Sequence, residues 1–141
     1  MSIRYTIDRE NCIVRSRGWG VVTASDVQDW ISHLLADPLF DSEYRSLGDL
    51  RAVSHVAVDA RTLAQVAATP LFHVGALRAV VASSDCVFGM ARTFAGFAER
   101  VGQQVRVFRE MHLAEEWLGL LIAPAGGAPV SRAAWEPLVA A

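Results

Sequence analysis

The chain opens with an alternation of apolar and polar residues. Ile3, Tyr5 and Ile7 are each followed by a polar residue, and after the polar segment DRE a second apolar stretch, NCIVRSRGWGVV, begins at Asn11. Alternation with a period of two is typical of a half-buried strand. Two such stretches separated by a short polar segment predict a β-hairpin.

The pattern changes to helical spacing in the segment TASDVQDWISHLLAD. Apolar residues recur there every three or four positions, at Val27, Trp30, Ile31, Leu34 and Leu35. This spacing places them on one face of an amphipathic helix. Ser25, followed by Gln28 three residues later, predicts a capping box at the start of that helix.

The next segments alternate between strand and helix. YRSLGDLRAV predicts a short strand that ends near Asp49 or Leu50. VDARTLAQVAAT predicts a helix that Asp59 caps, that Pro70 ends, and whose inward residues are Leu63, Ala64 and Ala67. The continuous apolar run in RAVVAS is typical of a central parallel strand. A strand on each side of a helix implies a crossover connection.

The segments from Asp85 onwards continue the alternation of helix and strand. DCVFGMARTFAGFAERVG predicts a helix that ends at Gly102, with an apolar stripe at Phe88, Ala91, Phe94, Ala95, Ala98 and Val101. QVRVF predicts a strand, and REMHLAEEWLGLL predicts a helix with Ala114, Trp117, Leu118 and Leu121 on its inner face.

The order of elements is therefore β-β-α-β-α-β-α-β-α, which predicts one α/β domain with a mixed sheet of about five strands. We place this domain at residues 1–121. Residues 122–141 contain Pro and Gly and have no clear period. Two alternatives stay open for this tail: a flexible segment, or one that packs back on the domain through Trp135.

Composition narrows the classes of function. The chain has 141 residues, is 52% hydrophobic and has a formal net charge of −2. Its basic residues are scattered and form no stripe that would neutralise a run of phosphates, so we expect no nucleic-acid partner. The N-terminus lacks the apolar core of a signal peptide and no run is long enough to cross a bilayer, so we expect a cytoplasmic protein with no transmembrane segment.

The order of elements is similar to that of STAS domains, the SpoIIAA-like fold of anti-sigma-factor antagonists, and especially to small stand-alone bacterial relatives called STAS/SEC14-like. The resemblance spans roughly residues 3 to 121. It is carried by GDLR at the end of the third strand, RAVVASSDCVFGMARTF across the fourth strand and third helix, and VRVFREMHLAEEWL across the last strand and helix.

The resemblance implies a place for a phosphorylation switch, but the acceptor is missing. Phosphorylated STAS domains end the strand with a sequence like Asp-Leu-Ser-Gly and open the next helix with Asp-Ser-Ser-Gly. Here these positions read Asp49-Leu50-Arg51-Ala52 and Asp59-Ala60-Arg61-Thr62, with a loop about two residues longer. No serine occupies the acceptor position, and Thr62 lies too far into the helix to replace it. We therefore expect no phosphorylation at the start of the second helix.

Polar residues collect where the parallel strands end. In open α/β sheets, ligands bind outside the carboxyl ends of the strands, near the N-termini of the helices. This edge is predicted to hold a ligand or partner site at Asp49, Arg51, Asp59, Thr62, Ser84 and Asp85, beside Ser83 and Arg109. Capping of helices explains Asp59 and either Ser84 or Asp85, and an ion pair between Asp49 and Arg51 is the favoured role for those two.

Signs of catalysis, metal binding or a cofactor are weak. Cys12 and Cys86 lie in apolar segments and are expected to be buried, although Cys86 falls in the first turn of a helix, where a thiol pKa is lowered. The four histidines are dispersed and lack the spacing of a zinc site. GWG at Gly18 and AGGA at Ala125 lack the context of a phosphate loop, and are interpreted as turn or bulge glycines. We expect no catalytic residues, no metal and no cofactor.

The third helix has a wider apolar surface than one sheet contact needs. Its two adjoining stripes include Phe88, Met90, Phe94 and Phe97. Packing against a neighbouring helix is one explanation. The functional alternatives are a self-association face or an apolar ligand cleft, which the loop of Leu71, Phe72 and Val74 would line.

Three hypotheses for function follow. The first is a non-catalytic STAS-like module that binds a protein partner or a second copy of itself. The second, which the SEC14-like relatives suggest, is a binder of a lipid or other apolar small molecule. An enzyme comes third.

Overall fold

A computed structural model describes residues 2–120 of the chain. It contains five strands and four helices in the predicted order: β1 (Ile3–Asp8), β2 (Ile13–Thr23), α1 (Ala24–Ala36), β3 (Arg45–Ala57), α2 (Ala60–Ala68), β4 (Leu77–Val81), α3 (Asp85–Arg100), β5 (Gln104–Phe108) and α4 (Met111–Trp117). The predicted α/β class and element order are confirmed. Leu121, Trp135 and the AGGA segment lie outside the described residues, as does the predicted tail.

The strands form a mixed sheet in the order β1-β2-β3-β4-β5. β1 runs antiparallel to β2, which confirms the hairpin, and every other neighbouring pair is parallel. Each parallel pair is joined through a helix, as the crossover pattern predicted. Register shifts in β2 fall beside Gly18 and Gly20, and Gly20 has a φ of +61°. The GWG segment is therefore a bulged stretch of strand.

The sheet separates two layers of helix. Ile13, Leu47 and Val81 pack on one face with Met111, Ala114 and Leu118 of α4. Val14, the neighbour of Ile13, points to the opposite face and packs with Ile31 and Leu34 of α1. This opposite face, which also carries α2 and α3, contains the cavity described below.

β3 is longer than its sequence pattern predicted. It runs to Ala57, whereas the pattern placed its end near Asp49 or Leu50. β4 pairs with β3 over residues 46–49, and beyond that point β3 pairs with β2, residues 52–57 against residues 19–23. We call this two-stranded extension the β2–β3 ribbon. Most side chains of the ribbon are exposed, so its sequence pattern is typical of a loop. The segment that the sequence analysis interpreted as a longer loop before α2 is therefore largely part of β3.

The helix caps agree with the sequence at two of three positions. Asp59 caps α2 and Ser84 caps α3, as expected. The capping box of α1 was placed wrongly: Thr23 is the N-cap, and Asp26 is the reciprocal partner. Ser25 lies within the first turn, because Thr23 is the last residue of β2 and the chain turns directly into the helix.

Some predicted inner faces need correction. Leu35 is 58% exposed and Val101 is 45% exposed, although both were placed on buried stripes. Leu35 lies at the rim of the stripe whose centre is Ile31 and Leu34, and Val101 follows the last turn of α3, where Gly102 adopts a φ of +81°. The tryptophans of α1 and α4 are half-buried.

Candidate functional site

The carboxyl edge of the sheet begins with an ion pair between Asp49 and Arg51. Nε of Arg51 donates to Oδ1 of Asp49 at 2.9 Å, and Nη2 donates to Oδ2 at 2.8 Å. Asp49 is 2% exposed, whereas the side chain of Arg51 is 43% exposed. The hydrogen bonds to Asp49 raise the pKa of Arg51 above its ordinary value. The favoured local ion pair is confirmed, and it neutralises both charges.

Asp59 and Thr62 form a second local group. Oδ1 of Asp59 accepts a hydrogen bond from the backbone N–H of Thr62 at 2.8 Å. This backbone hydrogen bond, with a further one from the Thr62 side chain, lowers the pKa of the Asp59 carboxyl. Both residues therefore take part in the N-terminal cap of α2.

A third group lies at the start of α3. Oγ of Ser84 accepts from the backbone N–H of Val87 at 3.3 Å. Arg109 forms an ion pair with Asp85 at 2.9 Å, and its guanidinium lies 4.2 Å above the ring of Phe88. The structure therefore uses the predicted edge residues in separate capping and ion-pair contacts.

The two cysteines are both exposed, which corrects the expectation of buried thiols. Cys12 lies in the turn between β1 and β2 with a φ of +54°. Cys86 lies in the first turn of α3, as predicted, but on its solvent side. Apolar neighbours in sequence did not reveal this, because Cys12 lies in a turn and Cys86 lies on the exposed side of its helix. Within residues 2–120, no three His, Cys, Asp or Glu side chains cluster as a metal ion would require.

A cavity of about 160 Å³ lies between the sheet and helices α1, α2 and α3. The helices contribute almost entirely apolar side chains to it: Val27 and Trp30 from α1, Leu63 and Val66 from α2, and Met90, Ala91 and Phe94 from α3. From the sheet, Leu50, Val80 and Val105 face the same space. An enclosed apolar cavity of roughly 150 Å³ takes up a molecule the size of benzene. The space here is partly open, and its volume is sufficient for a molecule of that size.

Part of the predicted apolar face of α3 lines this cavity and part lies outside it. Met90 and Phe94 line it. Phe88 lies beneath Arg109, and Phe97 lies 5.7 Å from the guanidinium of Arg100. Leu71 and Phe72, expected to line a cleft, are instead core residues at 4% and 3% exposure, and Val74 is exposed. Leu71 and Phe72 pack with residues of α1 and with the Phe40 ring, and they do not line the cavity.

The walls also hold a few polar groups that the sequence pattern did not single out. Nε1 of Trp30 donates to Oγ of Ser16 at 3.0 Å. Ser46 and Arg78 are partners in the register of β3 and β4, and both line the cavity while 6% and 9% exposed. The one sign of these polar groups in the sequence was Arg78, near the start of the otherwise apolar strand β4.

Gly48 lies in the same wall, in the middle of β3. A Cβ atom built at Gly48 meets nothing nearer than the carbonyl oxygen of Ala79, at 3.9 Å. No close approach of protein atoms thus requires glycine at this position. A glycine inside a strand costs about 0.5–1 kcal/mol relative to alanine, so the absent side chain has a cost and leaves open space.

Comparison with solved structures finds this fold in a protein described as an uncharacterized member of the DUF3478 family with a SpoIIAA-like fold, from Shewanella loihica PV-4. The two structures agree with a TM-score of 0.57 at 14% sequence identity, over 83% of this chain and 94% of that chain. No protein-family model and no curated protein matches the sequence. The chain therefore has a SpoIIAA-like fold, the fold of STAS domains, as the order of its elements predicted.

Among residues 2–120, no helix is both long enough and apolar enough to cross a membrane.

Proposed function

We propose that this protein is a non-catalytic binder of a small apolar molecule, which it holds in the cavity between the sheet and helices α1–α3. The observation that carries the proposal is a partly open cavity between the sheet and the helices whose walls are almost wholly apolar. Ligand sites of proteins are concave, mainly apolar and supplied with a few polar groups that orient the ligand. Ser16, Ser46 and Arg78 are such groups here.

Gly48 supports this function independently. Filling the space beside β3 with a side chain would stabilise the strand and the core, and yet the chain carries a glycine there. Glycine in a strand often marks a place where a ligand comes close to the backbone. A ligand that lies against Gly48 explains why this position carries glycine and no larger residue.

The absence of catalytic groups at the cavity favours binding over reaction. Among the described residues that line it, two serines and one arginine are polar, and none is a His, Cys, Asp or Glu. Ser16 already accepts a hydrogen bond from Trp30. A serine nucleophile needs a general base within hydrogen-bond reach, and these walls supply none.

Uptake of toluene tests the proposal, because toluene is apolar and close to the cavity in size. We expect toluene to raise the melting temperature of the parent protein and to shift the NMR signals of Met90 and Phe94. Gly48→Val and Ala91→Leu fill the cavity and should abolish both effects. Gly96→Ala is the matched control: its added Cβ meets nothing within 4 Å, so it should stabilise α3 and leave toluene uptake unchanged.

The outcomes separate clearly. Toluene that acts equally on the parent and on Gly48→Val would refute the proposal. A small molecule that accompanies the parent in native mass spectrometry, and is lost from Gly48→Val, would support it and reveal the natural ligand.

Binding of a protein partner is the second candidate, and the surface of α3 favours it. Phe88 and Phe97 are half-buried outside the cavity, and each lies close to an arginine guanidinium. Aromatic residues and arginine are enriched in protein interfaces. Phe97→Asp should weaken self-association in sedimentation while the melting temperature stays within a few degrees of the parent. Unchanged sedimentation with a strongly lowered melting temperature would make Phe97 a core residue.

A further inference from the structure

Arg78 is a buried cation at the wall of the apolar cavity. It begins the central run of β4, and the residue is 9% exposed. Its guanidinium carbon lies 4.5 Å from the centre of the Phe72 ring and 5.5 Å from that of Phe94, which also lines the cavity. The charged end of Arg78 therefore lies close to two aromatic rings, one of which borders the apolar space.

The charge of Arg78 has no carboxylate partner in the part of the chain that the structure describes. The ion pairs of arginine found there belong to Arg15, Arg51 and Arg109. Burial lowers the pKa of Arg78 to about 10, so that it stays charged at neutral pH. A buried charge without an opposite charge is costly, and proteins normally pair such charges. The two rings offset part of this cost through cation–π contact.

The guanidinium is held in place by a second buried residue. Nη1 of Arg78 donates to Oε1 of Gln103 at 2.8 Å, and Nε2 of Gln103 donates to the carbonyl oxygen of Phe72 at 3.0 Å. Gln103 is 8% exposed. This chain of hydrogen bonds uses one nitrogen of the guanidinium and fixes its orientation before any ligand arrives. A guanidinium presents five N–H donors in a rigid fork that matches a carboxylate.

Ser46 adds a hydroxyl on the same wall. It is the register partner of Arg78 on the neighbouring strand, and both side chains point to the face of the sheet that α1–α3 cover. A hydroxyl can donate to an anion beside a guanidinium. The polar part of the cavity wall is thus small and cationic, while the rest of the wall is apolar.

We infer that the cavity takes a small amphiphilic carboxylate, whose carboxylate group pairs with Arg78 beside Ser46 and whose apolar body lies against Gly48, Met90 and Phe94. The inference rests on the proposed function and names the chemical class of its ligand. The volume of the cavity suits an apolar body of about the six to eight carbons of an aromatic ring or a short acyl chain. Pairing with the carboxylate supplies the opposite charge that Arg78 lacks within the described residues.

The test compares phenylacetate with phenylacetamide, which has the same shape and no charge. By calorimetry at neutral pH, the parent should bind phenylacetate at least about tenfold more tightly, the difference that a hydrogen-bonded charge typically makes. Arg78→Met should remove this preference and leave the binding of toluene unchanged. Arg92→Met, which removes an exposed arginine of α3, is the control and should keep the preference.

Each outcome separates the inference from the proposed function. Toluene binding with equal affinities for phenylacetate and phenylacetamide would overturn the inference and leave the proposed function standing. Failure of all three compounds to bind would overturn both. The comparison within the parent needs no variant, so the inference is tested even if Arg78→Met does not fold.

Discussion

Arg15 donates a hydrogen bond from Nη1 to the carboxylate of Asp8 at 2.8 Å, with side chains 1% and 14% exposed. The contact joins β2 to β1 on the face of the sheet that carries α4. Nε and Nη2 of Arg15 are buried and make no hydrogen bond within residues 2–120. Asp8 is a carboxylate that pairs with this buried cation.

Asp8→Asn should lower the free energy of unfolding by about 3–5 kcal/mol, because removal of one partner leaves a buried charge uncompensated. Urea denaturation measures this loss. Asp29→Asn, at an exposed position of α1, is the control and should change the free energy by less than about 0.5 kcal/mol. Equal losses for the two variants would contradict a role for the ion pair.

The same carboxylate predicts a dependence on acid. Burial alone would raise the pKa of Asp8, but hydrogen bonds from Asn11 and Arg15 outweigh it and hold the pKa below its ordinary value of 3.8. A pKa depressed in the folded state contributes stability above the unfolded-state value, and this contribution is lost as the pH falls through the folded value. The stability curves of the parent and Asp8→Asn should therefore converge below pH 3.8.

Tyr5 predicts a complementary effect in alkali. Its hydroxyl donates to Oδ2 of Asp37 at 2.8 Å, and burial, together with this hydrogen bond and the Asp37 charge, raises its pKa to about 12. A pKa raised in the folded state contributes stability below the unfolded-state value of 10.0, which is lost as the pH rises towards 12. The difference in phenolate absorbance between the parent and Tyr5→Phe should titrate near pH 12. A midpoint near 10 would show that Tyr5 is solvated.

Both cysteines should react with a thiol reagent in the folded protein. Cys12 and Cys86 are exposed, so Ellman's reagent should detect two thiols per chain without denaturant. Cys12→Ser and Cys86→Ser should each lose one. A thiol that reacts only after addition of urea would show that this cysteine is buried, as the sequence pattern predicted.

Ser84→Ala should cost about 1 kcal/mol, because Oγ of Ser84 satisfies a backbone N–H at the start of α3. Ser83→Ala is the matched control one residue earlier, where the backbone carbonyl and not the side chain accepts from Arg109. Thermal unfolding of both variants measures the difference. An equal effect at the two positions would mean that the cap contributes nothing to stability.

The sequence predicted the elements whose patterns follow from burial. The hairpin, the three long helices and the apolar strand β4 each bury one face or both, so their periods are visible in the order of residues. β3 was truncated because the β2–β3 ribbon exposes most of its side chains, as a loop does. Leu35 and Val101 were misplaced because helical spacing identifies a stripe but not its edges.

The candidate site was harder to predict because a cavity is a property of three-dimensional packing. Met90 and Phe94 were identified from the excess apolar surface of α3, although they could not be separated from Phe88 and Phe97. Gly48 and Arg78 were missed, since a strand glycine and a strand arginine acquire meaning only when helices cover that face of the sheet. The polar edge residues form caps and ion pairs in the structure, and a ligand or partner site at this edge stays a prediction.

The β2–β3 ribbon also bears on how a molecule reaches the cavity. Val22 and Val56 are register partners in the ribbon, and both line the cavity. Over residues 52–57 the described sheet gives β3 a partner on one side alone, whereas residues 46–49 lie between two strands. Ribbon amides should therefore exchange their hydrogens for deuterium faster than those of residues 46–49, since segments with fewer partners open at lower free energy. Because Val22 and Val56 belong both to the ribbon and to the cavity wall, an opening of the ribbon also opens this wall, and faster amide exchange there would mark the ribbon as the side from which a ligand enters.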